Sequence, residues 1–232
     1  GDAAAIVELT EQTGLAQGFG RELGQGSLRL AAKYGAPELA MVAKGQEFAG
    51  YDPRGEQGMG LAYATSPIGA SHMRGDPAYI ELLGVPKLID PLEGRGKSAL
   101  IKDWQDSFAV IDAAGVCVFF TVRNLVEPDE RIRPRGIMEL LNAATGADYD
   151  LDELCRVGER IFNAERLWLN RAGFARAQDG LPPRITSEPM PYGPAKGMVC
   201  HLDEMLTEYY DLRGWDQEGR LMPAKLGELG LA

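Results

Sequence analysis

The chain has 232 residues, with 24 basic and 34 acidic side chains, a formal net charge of −10, and 45% apolar residues. That length accommodates one large domain or two small ones, and the acidic balance argues against nucleic-acid binding, which needs positive charge to displace counterions. No apolar run approaches the roughly 20 residues that cross a bilayer, no secretory leader is visible, and three cysteines without zinc or CxxC spacing suit a reducing compartment, so we expect a soluble cytoplasmic protein.

The chain opens on Gly1 rather than Met, as expected of a processed chain or a piece of a longer protein. Helices are predicted over about 3–13 and 20–34, and a soft domain boundary near 45–53. Residues 53–65 form a further candidate helix, rich in Gly, Ala and Met and so able to pack closely. Over 98–114, Ile101, Trp104, Phe108 and Ile111 share one face, and Gly115 sits where a left-handed helix stop is wanted.

Residues 116–122 are β-branched and aromatic, and read as a lone strand, an apolar loop or a helix start. Arg131, Arg133 and Arg135 lie beside Glu127, Asp129 and Glu130, the pattern of a solvated turn. A helix from about Pro134 to Gly146 is expected to bury Ile137, Leu140, Leu141 and Ala144.

Asp150 can cap the next helix, with Glu153 as its reciprocal partner. Leu151, Leu154, Val157, Ile161 and Trp168 recur at helical spacing there, widened by Phe162 and Leu169. Residues 178–199 carry Pro182, Pro183, Pro189, Pro191 and Pro194 and are expected to be extended and irregular. Residues 202–212 complete the helical set. Strand alternation is nearly absent, so the fold class is all-α and multihelical.

Chemistry concentrates in two places. Asp112, Gly115 and Cys117 form a DxxGxC pattern just where a helix runs out. A carboxylate can accept two parallel N–H bonds from a guanidine-like heterocycle edge, a glycine admits a flat ligand, and a thiolate can hold iron. The bland alternative is a surface Asp, a helix stop and a small buried thiol. Earlier, His72 follows a Gly- and Ala-rich stretch, where it can act as an acid, a base or a hydrogen-bond donor, or simply be satisfied by a backbone carbonyl. Arg74 can grip a phosphate or pair with Asp76.

The Gly58-Met59-Gly60 and Gly18-Phe19-Gly20 runs lack the complete nucleotide-loop pattern. Cys155 falls on an apolar helix side, and the Cys200-His201 pair has no second Cys/His pair to complete a metal site.

Three blocks carry a family resemblance. Tyr51-Asp52-Pro53-Arg54-Gly55, then Gly58-Met59-Gly60-Leu61-Ala62-Tyr63-Ala64-Thr65, resembles the DPR…GmaLayAT block of the aldehyde:ferredoxin oxidoreductases. The segment from Asp112 to Cys117 resembles that family's second pterin motif, DxxGLC, with Val116 in place of Leu. Tyr209-Tyr210-Asp211-Leu212-Arg213-Gly214-Trp215-Asp216, with Gly219, is similar to its YYxxRGWDxxG ending. The resemblance covers essentially the whole chain.

It implies that residues 1–232 are the family's carboxy-terminal helical region, with its amino-terminal β domain lying outside the sequence. It implies two pterins holding one tungsten or molybdenum beside a 4Fe-4S cluster. Asp112, with Gly115 and Val116 of the same motif, would bind the second pterin, and Cys117 would be the fourth cluster ligand. His72 matches the active-site histidine, and Arg74 the basic residue near the cofactor.

The family reaction takes a small aldehyde and water to a carboxylic acid and delivers electrons to ferredoxin. The other three cluster cysteines, the first DxxGL motif and the active-site glutamate are not in this sequence. The chain is therefore expected to need an amino-terminal half or partner subunit, to be inactive and to retain no cofactor alone, and to self-associate through an exposed apolar face around His72 and Cys117 as a homo-oligomer. The alternatives are a non-catalytic helical interaction module and a subunit of a related aromatic thioester reductase.

Overall fold

A computed structural model describes residues 1–85, 88–121 and 133–232. The Asp2 carboxylate accepts from the Ala4 and Ala5 N–H groups at 3.0 and 3.2 Å and so starts α1 (Ala3–Gly14). The single helix expected over 20–34 is instead two, α2 (Gly20–Leu23) and α3 (Ser27–Lys33). The break falls at Gly26, whose φ of 82° no helix accommodates.

A short hairpin that the sequence reading missed follows, β1 (Val42–Ala43) antiparallel to β2 (Gln46–Glu47), with Val42 opposite Glu47 and Ala43 opposite Gln46. Lys44 and Gly45 both have positive φ, the geometry of a tight type I′ turn. Two residues per strand are too few to produce readable alternation.

Next come α4 (Gln57–Thr65) and α5 (Ala78–Glu81), then the central α6 (Lys97–Ala114). Helix α4 starts later than Pro53 because Asp52 turns the chain there. Its carboxylate accepts from the Arg54 N–H at 3.0 Å, and its carbonyl accepts from the Gly55 N–H at 2.8 Å. Every residue of α4 is buried. The predicted face of α6, Ile101, Trp104, Phe108 and Ile111, is buried, and so are Gln105, Asp106 and Ser107 on its other side.

The apolar segment after Gly115 is a helix start and not a strand: α7 spans Val118–Thr121, and the Phe120 N–H donates to the Cys117 carbonyl at 3.1 Å. Val122 lies outside the described residues, as do Arg131 and the three acids of the expected solvated turn.

Pro134 caps α8 (Arg135–Thr145), and Gly146 ends it with φ 73°. Of the four residues expected to be buried on α8 only Ile137 is. Leu140 and Ala144 face solvent, because the helix rests one edge on α6.

The Asp150 carboxylate accepts from the Glu153 N–H at 2.7 Å and starts α9 (Leu151–Arg171). Trp168, placed in the apolar stripe by its spacing, is 68% exposed. Asn163 and Arg166 are buried in its stead. They are held by specific partners: the Trp215 indole N–H donates to Asn163 Oδ1 at 2.7 Å, and Arg166 makes a two-pronged pair with Asp179 at 2.8 and 2.6 Å.

The Pro-rich stretch is mainly irregular but contains α10 (Pro183–Ser187). Helices α11 (Leu202–Arg213) and α12 (Pro223–Leu229) complete the chain. The fold is mainly helical, as the sequence predicts.

One buried polar network ties α4, α6 and α11 together. Arg213, fully buried, pairs with Asp106 and donates to the Tyr209 hydroxyl at 2.9 Å and to Gln105 Oε1 at 3.0 Å. Gln105 in turn donates to Thr65 Oγ1 at 2.9 Å. Helix α9 packs so closely on α6 that a Cβ at Gly158 would lie 2.2 Å from the Asp106 carbonyl oxygen.

Candidate functional site

Two features place the DxxGxC residues. Helix α6 carries Asp112 in its last turn. Gly115, at φ 70°, then reverses the chain, its N–H donating to the Asp112 carbonyl at 3.1 Å, while the Val116 N–H donates to the Ile111 carbonyl at 3.3 Å. A Cβ at Gly115 would meet no atom within 4 Å. Asp112, Gly115, Val116 and Cys117 are all exposed. Buried Val118 and then exposed Phe119 and Phe120 follow.

His72 and Arg74 lie on the loop between α4 and α5. That loop is pinned at two glycines. Gly69, φ 99°, runs so close to the hairpin that a Cβ would sit 2.5 Å from the Ala43 carbonyl oxygen. Gly75, φ 107°, would place a Cβ 2.7 Å from Gln105 Cγ on α6. The His72 ring is half-buried and lies 5.7 Å from the Tyr51 ring, tilted by 49°.

Arg74 does not pair with Asp76, the bland partner considered from sequence. Its guanidinium donates to Asp112 Oδ2 at 2.8 Å and lies 3.7 Å from Glu165 Oε1 on α9. The fold therefore joins Arg74 to Asp112 across 38 residues of chain. Asp76 is buried, and its carboxylate accepts from the Ala78 N–H at 3.2 Å. Burial raises the Asp76 pKa, and the nearby His72 charge opposes the rise. Burial, then the charges of Asp76, Tyr51 and Cys117, push the Tyr79 pKa up.

Sequence reading missed several groups beside His72. Glu56 and Tyr63 are buried, and Glu56 Oε2 has no hydrogen-bond partner. Burial, reinforced by the charges of Glu81 and Asp76, lifts Glu56 to a pKa of about 8. Burial likewise raises Tyr63, with Glu56, Asp76 and Tyr51 adding to the shift. Phe48 stacks on Tyr63 with ring centroids 4.8 Å apart. The available signal was a carboxylate directly ahead of a Gly- and Ala-rich helix, but only the fold reveals that Glu56 is enclosed.

The other cysteines sit in packing positions. Burial lifts Cys155 to about 11 and Cys200 to about 12. A Cβ at Gly60 would lie 2.4 Å from Cys200 Sγ, so that thiol fills a tight helix contact. Among the described residues, no three His, Cys, Asp or Glu side chains gather as a metal ion needs. No described helix is long and apolar enough to cross a membrane.

The family described as aldehyde ferredoxin oxidoreductase, domains 2 and 3, matches residues 1–231. The tungsten-containing aldehyde ferredoxin oxidoreductase of Pyrococcus furiosus is 43% identical over the whole chain, which spans 37% of that protein. The Thermococcus kodakarensis protein of the same name is 42% identical with the same coverage. The Pyrococcus horikoshii one is 45% identical over 93% of this chain and 34% of its own length.

In fold, the active-site complex BamBC of benzoyl-coenzyme A reductase aligns with a TM-score of 0.66 at 19% identity, over 96% of this chain and 38% of that one. The chain thus spans little more than a third of the curated relatives it matches. It belongs to the aldehyde ferredoxin oxidoreductase family.

Proposed function

We propose that this chain is the cofactor-binding portion of a tungstopterin iron–sulfur oxidoreductase that oxidises aldehydes to carboxylic acids, with ferredoxin as electron acceptor. The observation that carries the reading is the meeting of Arg74 and Asp112 at the open end of α6, with exposed Cys117 five residues on. The donor set fits the group in part. Asp112 offers a carboxylate with one oxygen oriented by Arg74, Gly115 leaves open space beside it, and Cys117 supplies one thiolate.

Asp112, with Gly115 and Val116, would hold the amino-pyrimidine edge of a pterin, and Arg74 would stand ready for its phosphate. Cys117 would be one ligand of a 4Fe-4S cluster, which normally takes four. The remaining ligands come from elsewhere in the complete enzyme, an amino-terminal half or a partner subunit, and on this reading the isolated chain is inactive. When bound, the metal–pterin group supplies the two-electron redox chemistry. His72 donates a hydrogen bond or proton to the substrate carbonyl from a loop held in place by Gly69 and Gly75. The residues from 1 to 232 act as one carboxy-terminal region in this reading, with any subdivision near 45–53 lying close to the hairpin.

The test is His72→Asn in the complete enzyme. Turnover should fall by about 10²–10⁴, the usual contribution of an acid–base group, with tungsten content unchanged. Wild-type turnover in this variant would remove His72 from the mechanism.

A further inference from the structure

Arg74 stands between two carboxylates and closes on only one of them. Its Nη1 donates to Asp112 Oδ2 at 2.8 Å, a charge-assisted hydrogen bond of ordinary length. Its Nη2 lies 3.7 Å from Glu165 Oε1, within ion-pair range but too far for a hydrogen bond. Glu165 Oε2 is buried and has no hydrogen-bond partner among the described residues. Burial raises the Glu165 pKa, with the Arg74 charge opposing and the Asp112 charge adding to the rise. The chemistry proposed for the site leaves Glu165 unused.

A buried carboxylate oxygen without a donor is destabilising, and the nearest donor to Glu165 is the guanidinium already engaged by Asp112. The two carboxylates cannot approach each other freely. Glu165 belongs to α9 and Asp112 to α6, and those helices are locked together where a Cβ at Gly158 would lie 2.2 Å from the Asp106 carbonyl oxygen. The movable part is Arg74, a long side chain on a loop. Its guanidinium has five N–H donors, enough to leave one carboxylate for the other.

Arg74 is also chemically like the ligand proposed for Asp112. A guanidinium and an amino-pyrimidine edge both present parallel N–H donors to a carboxylate. They therefore compete for the same oxygens.

We propose that Glu165 is a positioning residue that receives Arg74 when Asp112 turns to the pterin. The proposal rests on the reading of Asp112 as a pterin seat. In the empty site Arg74 fills part of that seat and keeps Asp112 Oδ2 satisfied. When the pterin edge takes Asp112, the guanidinium closes the 3.7 Å gap to Glu165 and supplies the missing donor to its carboxylate. Held there through Nη2, Arg74 keeps Nη1 free for the pterin phosphate. Glu165 itself touches no cofactor and acts through Arg74.

The experiment has two arms. In the first, urea unfolding of the 232-residue chain compares Asp112→Asn, Glu165→Gln and the double variant. Each single variant leaves Arg74 one carboxylate, so the unfolding equilibrium should shift by less than about fivefold. The double variant removes both, and its shift should exceed the product of the single shifts by at least about twofold. A double shift equal to that product would mean that Arg74 does not pass from one carboxylate to the other, and overturns the proposal.

In the second arm, tungsten and pterin retention on dialysis is measured in the complete enzyme. Glu165→Gln should weaken retention by about tenfold, and Glu165→Asp should recover part of the loss. In an Arg74→Met background, Glu165→Gln should change retention by less than about twofold, because no guanidinium remains to be received. Wild-type retention in E165Q, or an equal loss in both backgrounds, overturns the exchange alone. A wild-type complete enzyme that holds no pterin overturns the functional reading, and the exchange with it.

Discussion

Replacing Asp112 by Asn separates a ligand-holding role from a structural one. The Asp112 side chain is 47% exposed, and its one described bond is the 2.8 Å contact from Arg74. Exposed pairs of this kind contribute about 0.2–1 kcal/mol. Asn keeps the size of Asp, and Arg74 retains Glu165 3.7 Å away. Urea unfolding of D112N should therefore lie within about 1 kcal/mol of wild type.

The effect on a pterin edge is different in kind. A hydrogen bond to a charged group contributes about 1.5–3 kcal/mol, and Asn offers one acceptor where the carboxylate offers two. Pterin affinity should fall about 10- to 100-fold, read as tungsten lost on dialysis of the complete enzyme. Two results would refute the reasoning. One is a stability loss above about 2 kcal/mol, which would make Asp112 a structural residue. The other is full tungsten retention, which would remove it from the cofactor site.

Cys117→Ser in the complete enzyme should damage the iron–sulfur cluster and slow electron delivery to ferredoxin, and an unaltered cluster absorption spectrum would exclude Cys117 as a ligand. Gly158→Ala should destabilise the chain by about 1–3 kcal/mol or more, because the new Cβ would sit 2.2 Å from a backbone oxygen of α6; urea unfolding within about 0.5 kcal/mol of wild type would contradict the packing described. Asp106→Ala should cost about 3–5 kcal/mol by leaving Arg213 charged and fully buried without its main partner. The double variant with Arg213→Met should regain part of that loss in the same assay, and a purely additive double variant would dissolve the coupling.

What the sequence made legible follows from how local each signal is. Gly115 as a left-handed stop, Asp150 as a helix cap and the buried face of α6 all depend on residues within a turn or two, and each is where the pattern puts it. The hairpin at 42–47 was hidden because two-residue strands carry no period. Arg166 and Asn163 were hidden because a charged or amide side chain on a helix normally marks its wet face. Only the approach of Asp179 and Trp215 reverses that rule. Trp168 is the converse, a large apolar ring at core spacing left outside because no described element covers it. At the site, spacing singled out Asp112, Cys117 and His72, but not the Arg74–Asp112 pair or the enclosure of Glu56. Those depend on α4, α5 and α6 meeting in space.

The division between core and rim explains why such a site can coexist with a stable chain. The costly buried charges, Arg213 with Asp106 and Arg166 with Asp179, are compensated inside the helical core, by partners contributed by α6, α9, α11 and the segment before α10. They need nothing from a ligand. The residues proposed for chemistry sit at the end of α6 and on one loop, where Asp112 and Cys117 are exposed and His72 is half-buried. Their positions are nonetheless fixed, because Gly69 and Gly75 press that loop against the hairpin and α6. Gln105 belongs to both systems: its side chain bonds Thr65, Tyr209 and Arg213, and its Cγ packs on Gly75. A change at Gln105 should therefore move the His72 loop as well as weaken the core, whereas changes at His72, Asp112 or Cys117 should alter chemistry and leave the core intact.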